Sequence, residues 1–183
     1  SQFGSYRSSF DGDIAHLLGT SGGGGIAYVN VLCGGESFFR KAYSALQSSF
    51  NNVPTYSWTI EVITHETGHN LGSRHTHDCV WNGNSTRIDS CGDYAGYSSC
   101  GGLTRPIRLP EGGGTIMSYC YVTSVGINFN KGFGSQPKIL MANNINLATC
   151  LTSCGTPPIN QPPIANAGVD QVINPPTGFA ILN

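Results

Sequence analysis

Residues 65–75 of the chain read His65-Glu66-Thr67-Gly68-His69-Asn70-Leu71-Gly72-Ser73-Arg74-His75. Two histidines four positions apart on a helix project from the same face, so His65 and His69 can reach one ion. Gly72 lets the backbone leave the helix sharply, which brings His75 back as a third ligand. Three nitrogen ligands leave one coordination position for water, as in catalytic rather than structural zinc sites. The spacing therefore predicts one catalytic Zn2+ ion held by His65, His69 and His75.

The glutamate inside this pattern, Glu66, follows the first predicted ligand and points toward the open coordination position. A carboxylate in that place can remove a proton from the water as it attacks a carbonyl carbon. We therefore predict that Glu66 is the general base. Chance is a poor alternative explanation, because H-E-x-x-H alone arises in well under about 1% of chains of this length.

The full pattern, H-E-x-x-H-x-x-G-x-x-H, resembles the signature of the metzincin metalloproteases, which have a methionine turn downstream. Thr115-Ile116-Met117-Ser118-Tyr119 fits that turn, and the chain has only two methionines. The resemblance implies an α/β (α+β) catalytic domain with a mixed sheet, an active-site helix, a C-terminal helix and loops joined by disulfides. It also implies that Met117 lies beneath the histidines as a hydrophobic floor. Its implied function is zinc-dependent endoproteolysis of extracellular proteins.

Within the metzincins, the surroundings of the motif are most similar to the reprolysin (adamalysin-like) branch. That branch has an aspartate directly after the third histidine, whereas Thr76-His77-Asp78 follows His75 here. The resemblance therefore assigns the role of that aspartate to Asp78. The His-Thr pair at 75–76 is also similar to the sequence of pappalysins at this point. We expect His77 to be a surface residue or a neighbour of the ligands, and His16 to be a strand residue.

The tyrosine of the methionine turn has two interpretations. Met117-Ser118-Tyr119 is similar to serralysins and astacins, whose tyrosine two residues past the methionine can touch zinc. This resemblance implies that Tyr119 is an auxiliary ligand or a donor to the transition state. The alternative is a packed tyrosine that supports the turn.

Hydrophobic patterning predicts three strands and two helices around the motif. The strands are expected at 13–18, 26–32 and 43–50, and a glycine run at 22–25 forms a turn between the first two. The active-site helix begins after Ser57 as N-cap and ends at Gly72. Residues 79–114 lack periodicity and are interpreted as disulfide-pinned loop. A last helix is expected at 137–148, with apolar contacts from Ile139, Leu140, Ile145 and Leu147.

In metzincins the substrate lies extended along an edge strand. The resemblance assigns that strand to Ile26–Val29, and it assigns residues 122–127 to the wall of the pocket for the residue just past the cleaved bond. The expected partner is therefore a polypeptide bound by β-augmentation.

Composition limits the other function classes. Nine basic and ten acidic residues give a net charge of −1, which leaves no electrostatic footprint for nucleic acid. No apolar run reaches transmembrane length, so membrane insertion is not expected. Seven cysteines without a C-x-x-C pair are typical of a disulfide-stapled secreted protein. We therefore predict an extracellular location.

The odd number of cysteines leaves one of them free or bonded outside the chain. The family resemblance implies that Cys33 pairs with Cys150 or Cys154. Loop spacing suggests Cys79–Cys120 and Cys91–Cys100, although sequence alone does not fix the connectivity.

We expect three segments along the chain. Residues 1–154 form the catalytic domain, 155–163 a Pro-rich linker, and 164–183 the start of a β-sandwich that resembles a PKD-type module. Metzincins usually have a longer segment before the zinc helix than the 64 residues here, so the chain is expected to be a fragment or a trimmed relative. The rival to an active protease is therefore a non-catalytic adhesion module or an inactive fragment. Ca2+ is a further expectation for the Asp/Asn-rich loop 82–93, which has no EF-hand pattern.

Overall fold

A computed structural model describes residues 10, 12–34, 39–97, 100 and 108–151 of the chain. The chain divides into two units, Ser1–Leu151 and Thr152–Asn183, and the described residues belong to the first. The predictions for Cys154, the linker at 155–163 and the PKD-like segment at 164–183 lie outside the described residues. Within the first unit, the predicted mixed α/β architecture is confirmed.

The sheet of the described part has three strands in the order β1-β3-β2. β1 is Ala15–Gly19, β2 is Gly25–Ala27 and β3 is Lys41–Ala45. β1 runs parallel to the central β3, and β2 runs antiparallel to it. The mixed sheet of the prediction is thus present, with β2 as an outer strand.

β2 is shorter than the predicted strand 26–32, because the chain leaves the sheet after Ala27 to cover the end of the active-site helix. There, the backbone N–H of Asn30 donates to His69 O at 2.9 Å, and that of Val31 donates to Asn70 O at 2.9 Å. These bonds satisfy carbonyls that the end of a helix leaves unpaired. β3 also differs from the prediction, since it begins at Lys41 rather than 43 and ends at Ala45 rather than 50.

The active-site helix, α1, spans Trp58–Asn70 and packs on β3. Small residues on β3 allow this close approach: Ser44 Oγ donates to Val62 O at 3.1 Å, and Trp58 Nε1 donates to Ala45 O at 2.8 Å. Ser57 occupies the N-cap position, but its side chain makes no capping bond. Past the C-terminus, Gly72 has a φ of +109°, the left-handed conformation that its sequence position predicted.

The last helix, α3, spans Ser135–Leu147, close to the predicted 137–148. It supports the end of α1 through Asn144, whose Nδ2 donates to Leu71 O at 2.9 Å. The predicted apolar contacts are wrong, because α3 buries Pro137 and Met141 instead. Its remaining apolar residues are exposed: Ile139, Leu140, Ile145 and Leu147.

Three disulfides join cysteines of the described residues, and two of the predicted pairings are wrong. Cys33–Cys150 is one of the two alternatives that the family resemblance implied. The other bonds are Cys79–Cys100 and Cys91–Cys120, rather than Cys79–Cys120 and Cys91–Cys100.

Asp89 explains the difference in pairing. One of its carboxylate oxygens accepts from the backbone N–H of Cys91 at 2.9 Å, and the other accepts from Ser118 Oγ at 2.9 Å. Asp89 therefore holds the short helix α2, Cys91–Tyr94, against the methionine turn beside Cys120.

Among the described residues, no helix combines the length and the apolar character that crossing a membrane requires.

Candidate active site

The three predicted ligands converge at the C-terminal half of α1. His65, His69 and His75 each place a ring nitrogen within 4.8 Å of the other two. Their ring centroids lie 4.6 to 5.1 Å apart. α1 positions His65 and His69 on one face, and the turn at Gly72 brings the chain back so that His75 lies beside them. The structure thus brings together the residues that the spacing predicted.

Backbone carbonyls fix the orientation of two of these rings. His65 Nδ1 lies 2.7 Å from Ile116 O, and His69 Nδ1 lies 2.8 Å from Ser73 O. An Nδ1–H that donates to a carbonyl leaves Nε2 with its lone pair, the tautomer that a metal-binding imidazole needs.

The Nε2 atoms of His69 and His75 then face each other at 3.1 Å. Two ring nitrogens at this distance must share either a proton or a cation. Burial is the largest cause that lowers the pKa of His65 to about 3 and that of His75 to about 2, so both rings are neutral. This donor set fits a metal ion.

The methionine turn lies directly beneath α1. Met117 is fully buried, and a Cβ added to Gly68 would lie 2.6 Å from Met117 Sδ. The turn is also bonded to the segment of the third histidine, since the backbone N–H of Thr76 donates to Met117 O at 3.1 Å. Met117 therefore has the position that the resemblance implied.

Glu66 lines a cleft of about 220 Å³ beside the histidines. Its side chain is buried, and burial raises the pKa of the carboxyl to about 7. Gly25 on β2 contacts it so closely that a Cβ there would lie 2.5 Å from Glu66 Oε1. The glycine run is thus more than a turn, because it lets the outer strand pass next to Glu66. The cleft is lined by Gly23, Gly24, Gly25, Trp58, Glu61, Val62, His65, Glu66, Tyr97, Tyr119 and Tyr121.

Tyr119 lines the same cleft and packs on two of the predicted ligands. Its ring centroid is 4.6 Å from that of His75 and 6.1 Å from that of His65. Burial raises the pKa of its hydroxyl, which therefore stays protonated. The arrangement is compatible with a hydroxyl donor and with a packed ring that supports the turn. The predicted wall at 122–127 does not line this cleft, whereas Tyr119 and Tyr121 do.

His77 and Asp78 both lie next to His75. His77 is buried and stacks on His75, with centroids 4.9 Å apart and planes inclined by 8°, so it is a neighbour of the ligands and not a surface residue. Asp78 Oδ2 accepts from the backbone N–H of His75 at 3.2 Å and lies 3.9 Å from His75 Nδ1. His75, His77 and Asp78 form a second group that could hold a metal, but this group shares His75 with the first.

The other predicted residues lie outside the metal-binding cluster. His16 is a strand residue, as predicted, with Nε2 2.8 Å from Ser44 Oγ. Both carboxylates of the predicted Ca2+ loop, 82–93, have protein partners. Asp89 accepts from Ser118 as described above, and Asp93 Oδ2 accepts from Arg87 at 2.6 Å. Among the described residues, the calcium prediction gains no support.

Glu61 was missed by the sequence reasoning. It lines the cleft from the first turn of α1 and is only 2% exposed. The helical period could have found it, because residues four apart share a face and Glu61 precedes His65 by four positions.

Together, the ligand helix and the methionine turn beneath it are those of a metzincin-like domain. The model of metallo-peptidase family M12 named Reprolysin_5 matches residues 1–130, more than half of the sequence. The chain belongs to this family. Comparison with curated proteins and with solved structures gave no match.

Proposed function

We propose that the protein is a zinc-dependent endopeptidase that hydrolyses peptide bonds of extracellular proteins. The observation that carries the proposal is the convergence of His65, His69 and His75, together with the cleft that His65 and Glu66 both line. Membership of a metallo-peptidase family supports it. Zinc is the proposed ion because imidazole nitrogens suit it, and three protein ligands with one open position are typical of catalytic zinc.

The chemistry of the chain's own residues follows from their places in the cleft. When bound, zinc supplies a Lewis acid that activates water and polarises a carbonyl oxygen. Glu66 accepts the proton of the attacking water and delivers it to the leaving amine. Tyr119 is the proposed auxiliary ligand, or a donor to the oxyanion that develops on the carbonyl. The neighbouring Asp78 fixes the backbone at His75, because its carboxylate accepts from the backbone N–H of His75.

The proposed substrate is a polypeptide bound in extended conformation along the outer edge of β2. This strand pairs with β3 on one side and is outermost in the order of the described strands, so its other edge can add a strand. Ile26 is 72% exposed there. Because Gly25 contacts Glu66, a peptide on this edge passes directly beside the proposed base.

The proposed location is extracellular, which the three disulfides support, since such bonds persist in oxidising compartments. The division into a catalytic domain at 1–154, a linker at 155–163 and the start of a PKD-like sandwich at 164–183 also remains a proposal.

Cleavage of unfolded casein tests the function. We expect hydrolysis that a zinc chelator abolishes and added zinc restores. Glu66→Gln should retain about one zinc ion per chain and reduce kcat by at least about 100-fold. Glu111→Gln, which removes an exposed carboxylate, is the matched control and should behave as the unaltered protein. A zinc-loaded protein that binds casein without cleaving it would reject the proposal in favour of the non-catalytic module, and substantial hydrolysis by Glu66→Gln would reject the general-base assignment.

A further inference from the structure

The first turn of α1 places a second carboxylate in the active-site cleft. Glu61 lies four residues before His65, on the same helical face and about 6 Å away along the helix axis. It lines the cleft that holds Glu66 and the ligand histidine. Its side chain is 98% buried, a depth at which an unpaired carboxylate is rare.

The carboxylate of Glu61 lacks a full set of partners. The Tyr56 hydroxyl lies near it, and Glu61 Oε2 is buried without any hydrogen-bond partner among the described residues. The two ion pairs that join described residues to each other, His75–Asp78 and Arg87–Asp93, do not include Glu61. A buried acidic group in this state is destabilising unless a cation or a donor reaches it.

The side chains around Glu61 suit a long cationic group. Trp58 and Tyr121 both line the cleft and pack edge to face on each other, with centroids 5.3 Å apart. Aromatic walls bind the aliphatic stem of a basic side chain and attract its charge. The cleft volume of about 220 Å³ is below the range of about 300–1,000 Å³ for pockets that enclose a whole small molecule. It therefore fits a single side chain.

We propose that Glu61 is a specificity-determining residue that selects a substrate with an arginine or lysine side chain in this cleft. The inference rests on the proposed peptidase function. A side chain that enters the cleft beside the ligand histidines must extend along α1 by about one helical turn to reach Glu61, which a basic residue can span and a short one cannot. A guanidinium or ammonium group there supplies the missing donor and the missing charge at once.

The test uses the zinc-loaded full chain and two peptide series, one varied only at the residue before the cleaved bond and one only at the residue after it, and the preference is expected in one of them. We expect kcat/KM for the arginine or lysine peptide to exceed that for the leucine peptide by at least about tenfold. Glu61→Gln, which keeps the shape of the side chain and removes its charge, should bring that ratio close to one by slowing cleavage of the basic peptides. Glu111→Gln is the matched control and should keep the preference.

Binding provides a readout that does not require turnover. In the Glu66→Gln background, calorimetry should show the arginine peptide binding about tenfold more tightly than the leucine peptide, and adding Glu61→Gln should remove the difference. An unaltered enzyme that cleaves all the peptides equally, or a preference that survives Glu61→Gln, overturns the inference and leaves the peptidase proposal standing. A binding preference that depends on Glu61 in a protein that cleaves nothing overturns the peptidase proposal alone.

Discussion

Gly68 lies against the sulfur of Met117. A Cβ on residue 68 would stand 2.6 Å from Met117 Sδ and 3.0 Å from the ring of Phe133. Real Cβ atoms do not approach other atoms so closely, so the methionine turn can pack under α1 only where the helix has no side chain. The variable position 68 of the histidine motif is therefore coupled to the downstream turn in this protein.

Gly68→Ala should destabilise the fold by about 1–3 kcal/mol, the usual effect of overpacking a buried contact. Helix propensity predicts the opposite, since alanine stabilises a helix interior by about 1 kcal/mol relative to glycine. Urea denaturation of the variant measures the balance. Met117→Ala and the double variant complete a cycle, in which the effect of Gly68→Ala should shrink once the sulfur is gone. A more stable Gly68→Ala protein would contradict the contact.

Gly25→Ala should reduce peptidase activity strongly while leaving the fold intact. The new Cβ would meet Glu66 Oε1 at 2.5 Å, so either the proposed base or the substrate-binding edge of β2 must shift. Displacements of about 1 Å in a catalytic group can lower rates by about 100-fold. Gly24→Ala is a matched control, because a Cβ there has nothing within 4 Å. Equal kcat/KM values for the two variants on one peptide would argue against the constraint.

The histidine cluster was predictable from the sequence because its geometry is local. The spacing of His65 and His69 on one helix fixes their common face, and Gly72 with its left-handed φ returns the chain to His75. These relations span only a few residues, so the helical period and one turn determine them. The same argument located α1 and α3 to within two residues at each end.

Features that depend on distant segments were predicted poorly. The pairing of Cys91 with Cys120 is favoured by Asp89, which accepts hydrogen bonds from both Cys91 and Ser118. The spacing of the cysteines along the loop does not reveal these hydrogen bonds. β2 stops at Ala27 because the next residues cap α1, although their apolar pattern continues that of a strand. In both cases tertiary hydrogen bonds override the local signal.

The two overlapping groups that could hold a metal ion lead to different expected metal contents for two histidine variants. His69 belongs only to the group with His65 and His75, and His77 only to the group with His75 and Asp78. We expect His69→Ala to lose nearly all bound zinc and His77→Ala to keep about one ion per chain, because only the first group has two rings oriented by backbone carbonyls. Atomic emission on the dialysed proteins measures this. Circular dichroism checks that both variants are folded, and the reverse pattern would assign the site to the second group.

Glu61 should make the stability of the protein depend on pH with a defined sign. Burial raises the pKa of its carboxyl from 4.5 to about 7, and the groups that face it, Tyr56 and Tyr121, also have raised pKa values and stay neutral in this range. Between these two pKa values the folded state binds more protons than the unfolded state. The free energy of unfolding therefore decreases as pH rises, by up to about 3 kcal/mol from this group.

Glu61→Gln cannot ionise, so it should gain stability relative to the unaltered protein as pH rises from 5 to 8. Urea denaturation of both proteins across this range measures the difference between their free energies of unfolding. Effects common to both proteins, such as zinc loss at low pH, cancel in this difference. Glu111→Gln is the control and should follow the unaltered protein, because residue 111 is exposed. Parallel curves for the unaltered protein and Glu61→Gln would mean that the buried carboxylate ionises normally. In that case it would already have a countercharge, and the cleft would have no need of a basic substrate side chain.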